Sequence, residues 1–524
     1  MREEKRIVKV AILVFIIALL TKGLQIVFFP LVAAFFGTSR ELESFIVAYS
    51  VPTLISTVLF GNFGAAFILF FTQQKLKHGE EAAWKFASPM ITVVLLGAIV
   101  ISAAGAWLSP WIIRFMVPGM ESAYKDIGSR LTQILFVTVV FLTAIIILTA
   151  ILQSYQSFIL PAAATLFANV VLIGTILIMK QRVGIYVLAV AIILSEALAV
   201  ALLLAGSGEI WRNKYTFKLN VNQLVIKDAM LMFIGVSIIG ALWQINLIIN
   251  RFFASFLTTG SIATLEYASR SVLLIIELLS VSIVVPLYQR MSSESAIEDK
   301  AKVRETFSLG LKMTAVALFP IAAFVILLRF PIFQIFLEHG RFTTQDTAEV
   351  SSVFLYLSLS MIGSGFGQMV ASAYCALRKV RLLLVVSLCG LILNVFLSAI
   401  LHKVMGVEGL ALATGIATFL GCIFSLGILS KEIGGLDVPY LSKFMIKTSF
   451  GAVLSGALGW SLFLYSGQLV KGDLFSQIIR LGISAVVCIV IYILMMSFFR
   501  IGEIDLVLKI VKERFKLIRQ VQLL

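Results

Sequence analysis

Fourteen stretches of almost unbroken apolar sequence dominate this chain of 524 residues, and each is long enough to cross about 30 Å of hydrocarbon as a helix of about 20 residues. They cover residues 10–37, 45–72, 86–108, 130–155, 158–180, 184–205, 230–257, 265–289, 306–328, 349–376, 381–401, 407–430, 445–467 and 475–499. At membrane depth no water is present to satisfy backbone N–H and C=O groups, so runs of this length close their hydrogen bonds within helices. An all-α, polytopic membrane protein with fourteen transmembrane helices follows. Hydrophobic residues make up 60% of the chain and charged ones 13%, a balance that excludes a soluble globular enzyme. The first apolar run is long and lacks a small-residue cleavage site, so it reads as a retained helix rather than a removable signal peptide.

The net charge of +15 raises the question of nucleic acid, and the placement of the basic residues answers it. Of 42 Lys and Arg, 28 fall to the loops on the side of the termini, 11 to the opposite side, and three lie within or at the mouths of apolar runs. This asymmetry predicts cytoplasmic termini, which an even helix count requires. The segment 500–524 is basic and amphipathic, suited to the anionic inner leaflet of a membrane rather than to nucleic acid.

A weak repeat recurs at an offset of 225 residues. Leu152-Gln153-Ser154 faces Leu377-Arg378-Lys379, Asn169 faces Asn394, and Gly184 faces Gly409. An offset of six helices preserves orientation, so two pseudo-symmetric six-helix lobes are expected, followed by two C-terminal helices. The predicted organisation is an N-lobe over 1–205, a cytoplasmic linker over 206–229, a C-lobe over 230–430, helices 13 and 14 over 431–499, and the tail. The paired asparagines read best as interhelical hydrogen bonds within each lobe.

Lys22, Arg251 and Arg270 are the three intramembrane cations. A charge at that depth is costly unless it meets a polar cavity, so they are the first candidates for binding an anionic substrate. Glu266, Arg270 and Glu277 fall within about 40° on one helix face, at about 100° per residue. Trp243, Asn246 and Asn250 share a face of the preceding helix, which also carries Gln244 and Arg251. In the first two helices Lys22, Gln25, Glu43, Ser50, Ser56, Thr57 and Asn62 are the polar positions, and Pro30 and Pro52 favour kinks. Opposing readings are that Glu43 merely neutralises Lys22, and Glu266 or Glu277 merely neutralises Arg270. Glu196 reads as an isolated buried polar contact.

No metal-ligand spacing or P-loop is present, and His78, His339 and His402 are scattered. Cys375, Cys389, Cys422 and Cys488 read as buried small hydrophobes without a disulfide framework. No cofactor is expected, so an uphill step would draw on the membrane potential or an ion gradient.

The stretches PLVAAFFGTSRELESFIVAYSVPTLISTVLFGNFGAAF (30–67), INLIINRFFASFLTTGSIATLEYASR (245–270), FLEHGRFTTQDT (336–347) and EGLALAT (408–414) together resemble the MurJ/MviN family of lipid II flippases, in the multidrug/oligosaccharidyl-lipid/polysaccharide exporter superfamily. The resemblance runs from the first helix to about residue 430. It implies a bacterial plasma-membrane transporter, not an enzyme, that moves an undecaprenyl-pyrophosphate-linked saccharide from the inner to the outer leaflet by alternating access. It further implies a headgroup cavity between the lobes and a lipid-tail groove lined by helices 13 and 14.

Position by position, Arg270 and Lys22 stand where the family has cavity cations, and Glu43 where it has an aspartate. Phe28 and Ser56 replace two further arginines, Ser269 replaces an acidic neighbour of Arg270, and Arg251 is an additional cation. The expected substrate site therefore comprises Lys22, Arg251, Arg270, Glu43, Glu266, Asn250, Gln25 and Ser56, with membrane lipids and a lipid-linked glycan as partners. The alternatives are a flippase for an exopolysaccharide or teichoic-type unit, a cation-coupled drug exporter and a membrane glycan polymerase.

Overall fold

The computed structural model describes residues 2–61, 63–217, 242, 244–469, 474–499 and 501. Asn62, Trp243, residues 218–229 of the expected linker and, save Ile501, the basic segment 500–524 lie outside them. The described residues are helical almost throughout. In order these are α1 (Arg2–Phe36), α2 (Arg40–Phe60), α3 (Phe63–Met116), α4 (Ser122–Leu135), α5 (Val137–Ser154), α6 (Ile159–Val183), α7 (Tyr186–Lys214) and α8 (244–254). There follow α9 (Ser261–Leu279), a π-helical turn over Ser280–Val284, α10 (Val285–Ala296), α11 (Lys300–Leu327), α12 (Arg329–Leu337), α13 (Thr344–Ala376), α14 (Val380–Glu432), α15 (Val438–Leu469) and α16 (Leu474–Phe498).

Twelve helices among the described residues are long and apolar enough to cross a membrane, against fourteen expected. Two features account for the difference. α14 is 53 residues long but reverses at Gly406, whose φ of 61° divides it into the two arms expected at 381–401 and 407–430. The span 230–257 is described only over its last part, which includes α8. The expected span 45–72 is itself split between α2 and the start of α3, and Gly79 (φ 85°) breaks α3 before the next traverse. The short α12 was not anticipated.

The chain forms two compact units, Met1–Ala263 with His339–Phe342, and Thr264–Glu338 with Thr343–Leu524. In the first, Phe63, Phe67 and Phe71 stack along one face of α3 at i, i+4 spacing, with ring centroids 5.7 and 5.4 Å apart. Phe71 also meets Trp84 and Tyr155, which joins both arms of α3 to the end of α5. Within a bilayer such contacts stabilise by close van der Waals packing rather than by removal from water. Residues 339–342 belong to this unit because the Arg341 N–H donates to the Ala34 carbonyl at 2.8 Å. Both turns there need glycine. A Cβ on Gly37 (φ 57°) would lie 2.8 Å from the Arg341 carbonyl oxygen, and one on Gly340 (φ 60°) 2.3 Å from that of Ala34.

In the second unit, α13 opens with a reciprocal cap: Thr343 Oγ1 accepts from the Asp346 N–H at 3.3 Å, and Asp346 Oδ2 accepts from the Thr343 N–H at 2.7 Å. Glu338 accepts from the hydroxyls of Thr344 and Thr347 at 2.8 and 2.9 Å. Pro286, two residues into α10, has no N–H to give the ladder, and the π-helical turn lies just before it.

The repeat is present at a different register. The helix ends at Gln156 and Arg378 both take left-handed backbone (φ 59° and 57°), and each is closed by a long turn bond, Ser157 N–H to Leu152 at 2.9 Å and Lys379 N–H to Tyr374 at 2.8 Å. Gly184 and Gly406 likewise match in φ, 59° and 61°. Both pairs give an offset of 222 residues, so Gly184 answers to Gly406 rather than Gly409, and Asn169 does not face Asn394. Asn394 is buried and bridges the arms of α14, donating to Thr414 Oγ1 at 3.1 Å and accepting from Ser398 Oγ at 3.2 Å. Asn169 donates only to the Thr165 carbonyl in its own helix. The interhelical role expected of both holds for one.

Candidate functional site

Glu43 is fully buried, and protein groups take both of its oxygens. Arg40 Nη1 donates to Oε2 at 2.8 Å, and the backbone N–H of Ile262, in the first turn of α9, donates to Oε1 at 2.8 Å. Arg40 Nη2 reaches the Leu257 carbonyl at 3.3 Å. A carboxylate on the first turn of a helix satisfies orphan donors and complements the helix dipole. Glu43 therefore clamps the 257–262 turn to α2, and its ion partner is Arg40 rather than Lys22. Arg40 passed for a loop cation in the sequence, although its i, i+3 spacing from Glu43 is legible there.

Arg270 sits one turn beyond Glu266 on α9, and its Nε donates to Glu266 Oε1 at 2.7 Å. The Arg270 side chain is 42% exposed and that of Glu266 18%, so the guanidinium is held in place while still reachable. Glu277, further along the same stripe, is half-buried. The sequence expectation of one polar face on this helix is met.

Arg251 and Asn250 lie near the end of α8 and are only 8% and 6% exposed, and Asn250 Nδ2 points to Asn246 Oδ1 at 3.5 Å. Lys22 lies exposed on α1 among the exposed side chains of Leu19, Leu20 and Ile26. Gln25 is half-buried, and Ser56 is buried with its Oγ lacking a hydrogen-bond partner. Glu196 is buried on α7 with Oε2 also unpartnered.

One cluster was missed altogether. Where the Gly79 break in α3 meets the ends of α5 and α7, the Tyr155 hydroxyl donates to Glu80, Lys214 Nζ meets the same carboxylate at 2.5 Å, and Trp84 Nε1 donates to Tyr155 at 3.0 Å. Lys75 lies 4.1 Å from the Tyr155 ring centre. The Glu80 carboxylate holds the Lys214 ammonium above the ordinary lysine range. These residues are up to 139 positions apart in sequence, Lys75 to Lys214, and carry no motif. Among the described residues, no group of three or more His, Cys, Asp or Glu could hold a metal ion.

The family model described as "Lipid II flippase MurJ" matches residues 32–480. The chain belongs to the MurJ family. The lipid II flippase MurJ of Burkholderia cenocepacia is 23% identical over 442 residues, covering 82% of this chain and 85% of the relative. Among solved structures, "Lipid II flippase MurJ, inward closed conformation" superposes with a TM-score of 0.77 at 22% identity, covering 93% of this chain and 98% of the other. An inward-facing multidrug resistance MATE family transporter of the MOP superfamily gives a TM-score of 0.67 at 15% identity, covering 80% and 96%. The MurJ fold is thus shared over nearly the whole chain, and the family is one of transporters, not enzymes. A multi-pass protein of the bacterial inner membrane follows, with membrane lipids and a lipid-linked substrate as its partners.

Proposed function

We propose that this MurJ-family chain carries lipid II, the undecaprenyl-pyrophosphate-linked precursor of peptidoglycan, from the inner to the outer leaflet by alternating access. The observation that carries the reading is the family match over 32–480, with Arg270 held by Glu266 yet left half-exposed. A pyrophosphate headgroup cannot cross hydrocarbon unaided, because desolvating its charge costs many kcal/mol. A planar guanidinium offers it paired, charge-assisted hydrogen bonds. Alternation requires the headgroup to bind the two states differently, and cations that meet it in one state more closely than in the other supply that difference.

Within this reading Lys22 and Arg270 are the headgroup cations, Gln25 and Ser56 contribute neutral polar contacts, and Glu266 orients Arg270. Residues 1–205 and 230–430 act as the two lobes, joined by 206–229. Residues 431–499 form the groove for the isoprenoid tail, and the basic segment 500–524 rests on the inner leaflet. Both termini are cytoplasmic, and the membrane potential or an ion gradient drives uphill steps.

The test is complementation of a flippase-depleted bacterium together with a headgroup-accessibility assay in vesicles. Arg270→Ala is expected to abolish both while its membrane level stays normal. Full complementation by that variant would overturn the role of Arg270, and wild-type vesicles that leave lipid II on one leaflet would overturn the transport reading.

A further inference from the structure

Arg480 lies six residues into α16, about 9 Å along the helix from its start at 1.5 Å per residue. In the structure it is seated against α15: Nε donates to Ser466 Oγ at 3.1 Å, Nη2 donates to the Phe463 carbonyl at 2.6 Å, and the guanidinium lies 4.6 Å from the Phe463 ring centre. The seat depends on the absence of a side chain at Gly467, where a Cβ would lie 2.3 Å from Nη2. Every one of these partners is neutral. Among the described residues, two of the five N–H donors of the guanidinium are used and no carboxylate pairs with it.

A fixed guanidinium this close to a helix end, flanked by the exposed apolar and aromatic side chains of Tyr465, Phe475 and Ile479, sits at the depth where hydrocarbon gives way to headgroups. Water at that depth is scarce, and a cation with spare donors is complemented there by an anionic oxygen group. We propose that Arg480, seated on Phe463, Ser466 and Gly467, is a binding site for the phosphate of a membrane lipid at the end of the α15–α16 hairpin. Two lipids offer such a phosphate with a net negative charge, which the choline cation of phosphatidylcholine cancels: a bulk anionic phospholipid and a polyprenyl pyrophosphate. The inference does not rest on the transport reading, since it requires only that these helices lie in a bilayer.

The experiment compares thermal unfolding of the purified full-length protein with phosphatidylglycerol, phosphatidylcholine or undecaprenyl pyrophosphate added. The wild type is expected to be stabilised by at least one of the two anionic lipids beyond the phosphatidylcholine value. Arg480→Gln should bind that lipid about tenfold more weakly, as loss of a charge-assisted pair implies. Gly467→Ala, which displaces the guanidinium, should act in the same direction, and Arg480→Lys should retain part of the effect. A shift confined to phosphatidylglycerol identifies bulk phospholipid as the source, and one confined to undecaprenyl pyrophosphate identifies the isoprenoid carrier. The site is overturned if Arg480→Gln responds to the anionic lipids as the wild type does. It is equally overturned if that variant is destabilised by the same amount in all three lipids, or if the wild type does not distinguish them. If Arg480→Gln does not fold, the comparison of Arg480→Lys and Gly467→Ala with wild type decides by the same criteria.

Discussion

Glu43 receives the backbone N–H of Ile262 on one carboxylate oxygen and Arg40 on the other, at 2.8 Å each, with the whole residue sealed from solvent. Removing the carboxylate strands a buried backbone donor and a mostly buried guanidinium together. Loss of one partner of such a buried pair costs about 3–5 kcal/mol. Glu43→Ala should therefore lower the thermal midpoint strongly. Glu43→Gln, which keeps an acceptor for Ile262, should lower it less. In the Arg40→Met background the effect of Glu43→Gln should shrink by about 0.5–3 kcal/mol, the coupling expected of contacting residues. Additive effects in that cycle would show that the ion pair contributes nothing to the clamp.

Gly340 is expected to tolerate no side chain. Its left-handed backbone already disfavours L-residues by roughly 1–2 kcal/mol, and the added Cβ would meet a backbone carbonyl that no side-chain rotation can move. Gly340→Ala should reduce the amount of folded protein recovered from membranes. It should also abolish the protection of the Arg341 amide in hydrogen exchange, because the Arg341 bond to Ala34 would be lost. An Arg341 amide as protected as in wild type would refute the interlock.

The helices were legible because hydrocarbon thickness sets an apolar length that can be counted, and the polar face of α9 because 3.6-residue periodicity survives in Glu266, Arg270 and Glu277. What stayed hidden depends on backbone geometry or on partners distant in sequence. The repeat register is the clearest case: matching the letters of Asn169 and Asn394 gives 225, whereas the turns at Gln156 and Arg378 and at Gly184 and Gly406 give 222. Side-chain identity at the asparagines is free to drift between lobes, but the helix-ending conformation is not. The segment FLEHGRFTTQDT, which carries part of the family resemblance, holds the Gly340 turn and the Thr343 cap. Burial of Arg251 and the bond from the Ile262 N–H to Glu43 are invisible in sequence because both depend on which segments meet, whereas the Arg40–Glu43 pair, at i, i+3 spacing on one helix, is legible there.

Asp299 should make α11 sensitive to acid. It caps the helix by accepting the Lys302 N–H at 3.0 Å and pairs with Lys302 Nζ at 3.1 Å, and that backbone bond, followed by the side-chain contact, holds its carboxyl below the ordinary aspartate range. A carboxyl depressed in the folded state contributes stability above its unfolded value of about 3.9 and loses it as pH falls through the lower folded value. Between pH 5 and pH 3 the thermal midpoint of the wild type should fall more than that of Asp299→Asn, which keeps a capping oxygen but cannot titrate. Parallel falls in the two proteins would assign the acid sensitivity elsewhere.

Two glycines at the reversal in α14 separate conformational strain from steric conflict. Gly406 has φ 61° and ψ −134°, a region essentially confined to glycine, but open space where a Cβ would go, so Gly406→Ala should cost the backbone strain alone, roughly 1–3 kcal/mol. Gly406→Asn should cost about as much, since that ψ lies outside the left-handed helical region Asn visits. A Cβ on Gly409 would lie 2.2 Å from the Leu401 carbonyl oxygen, in the opposite arm, so Gly409→Ala must push the two arms apart. That separation would also stretch the buried Asn394–Thr414 bond, adding an unsatisfied polar pair worth about 1–3 kcal/mol. The expected order of thermal midpoints is therefore wild type, then Gly406→Ala and Gly406→Asn together, and then Gly409→Ala. In the Thr414→Val background the penalty of Gly409→Ala should be smaller, since the hydrogen bond it disrupts is already absent. A Gly409→Ala protein as stable as Gly406→Ala would mean that the arms of α14 separate without cost, and that backbone conformation at Gly406 alone governs the reversal.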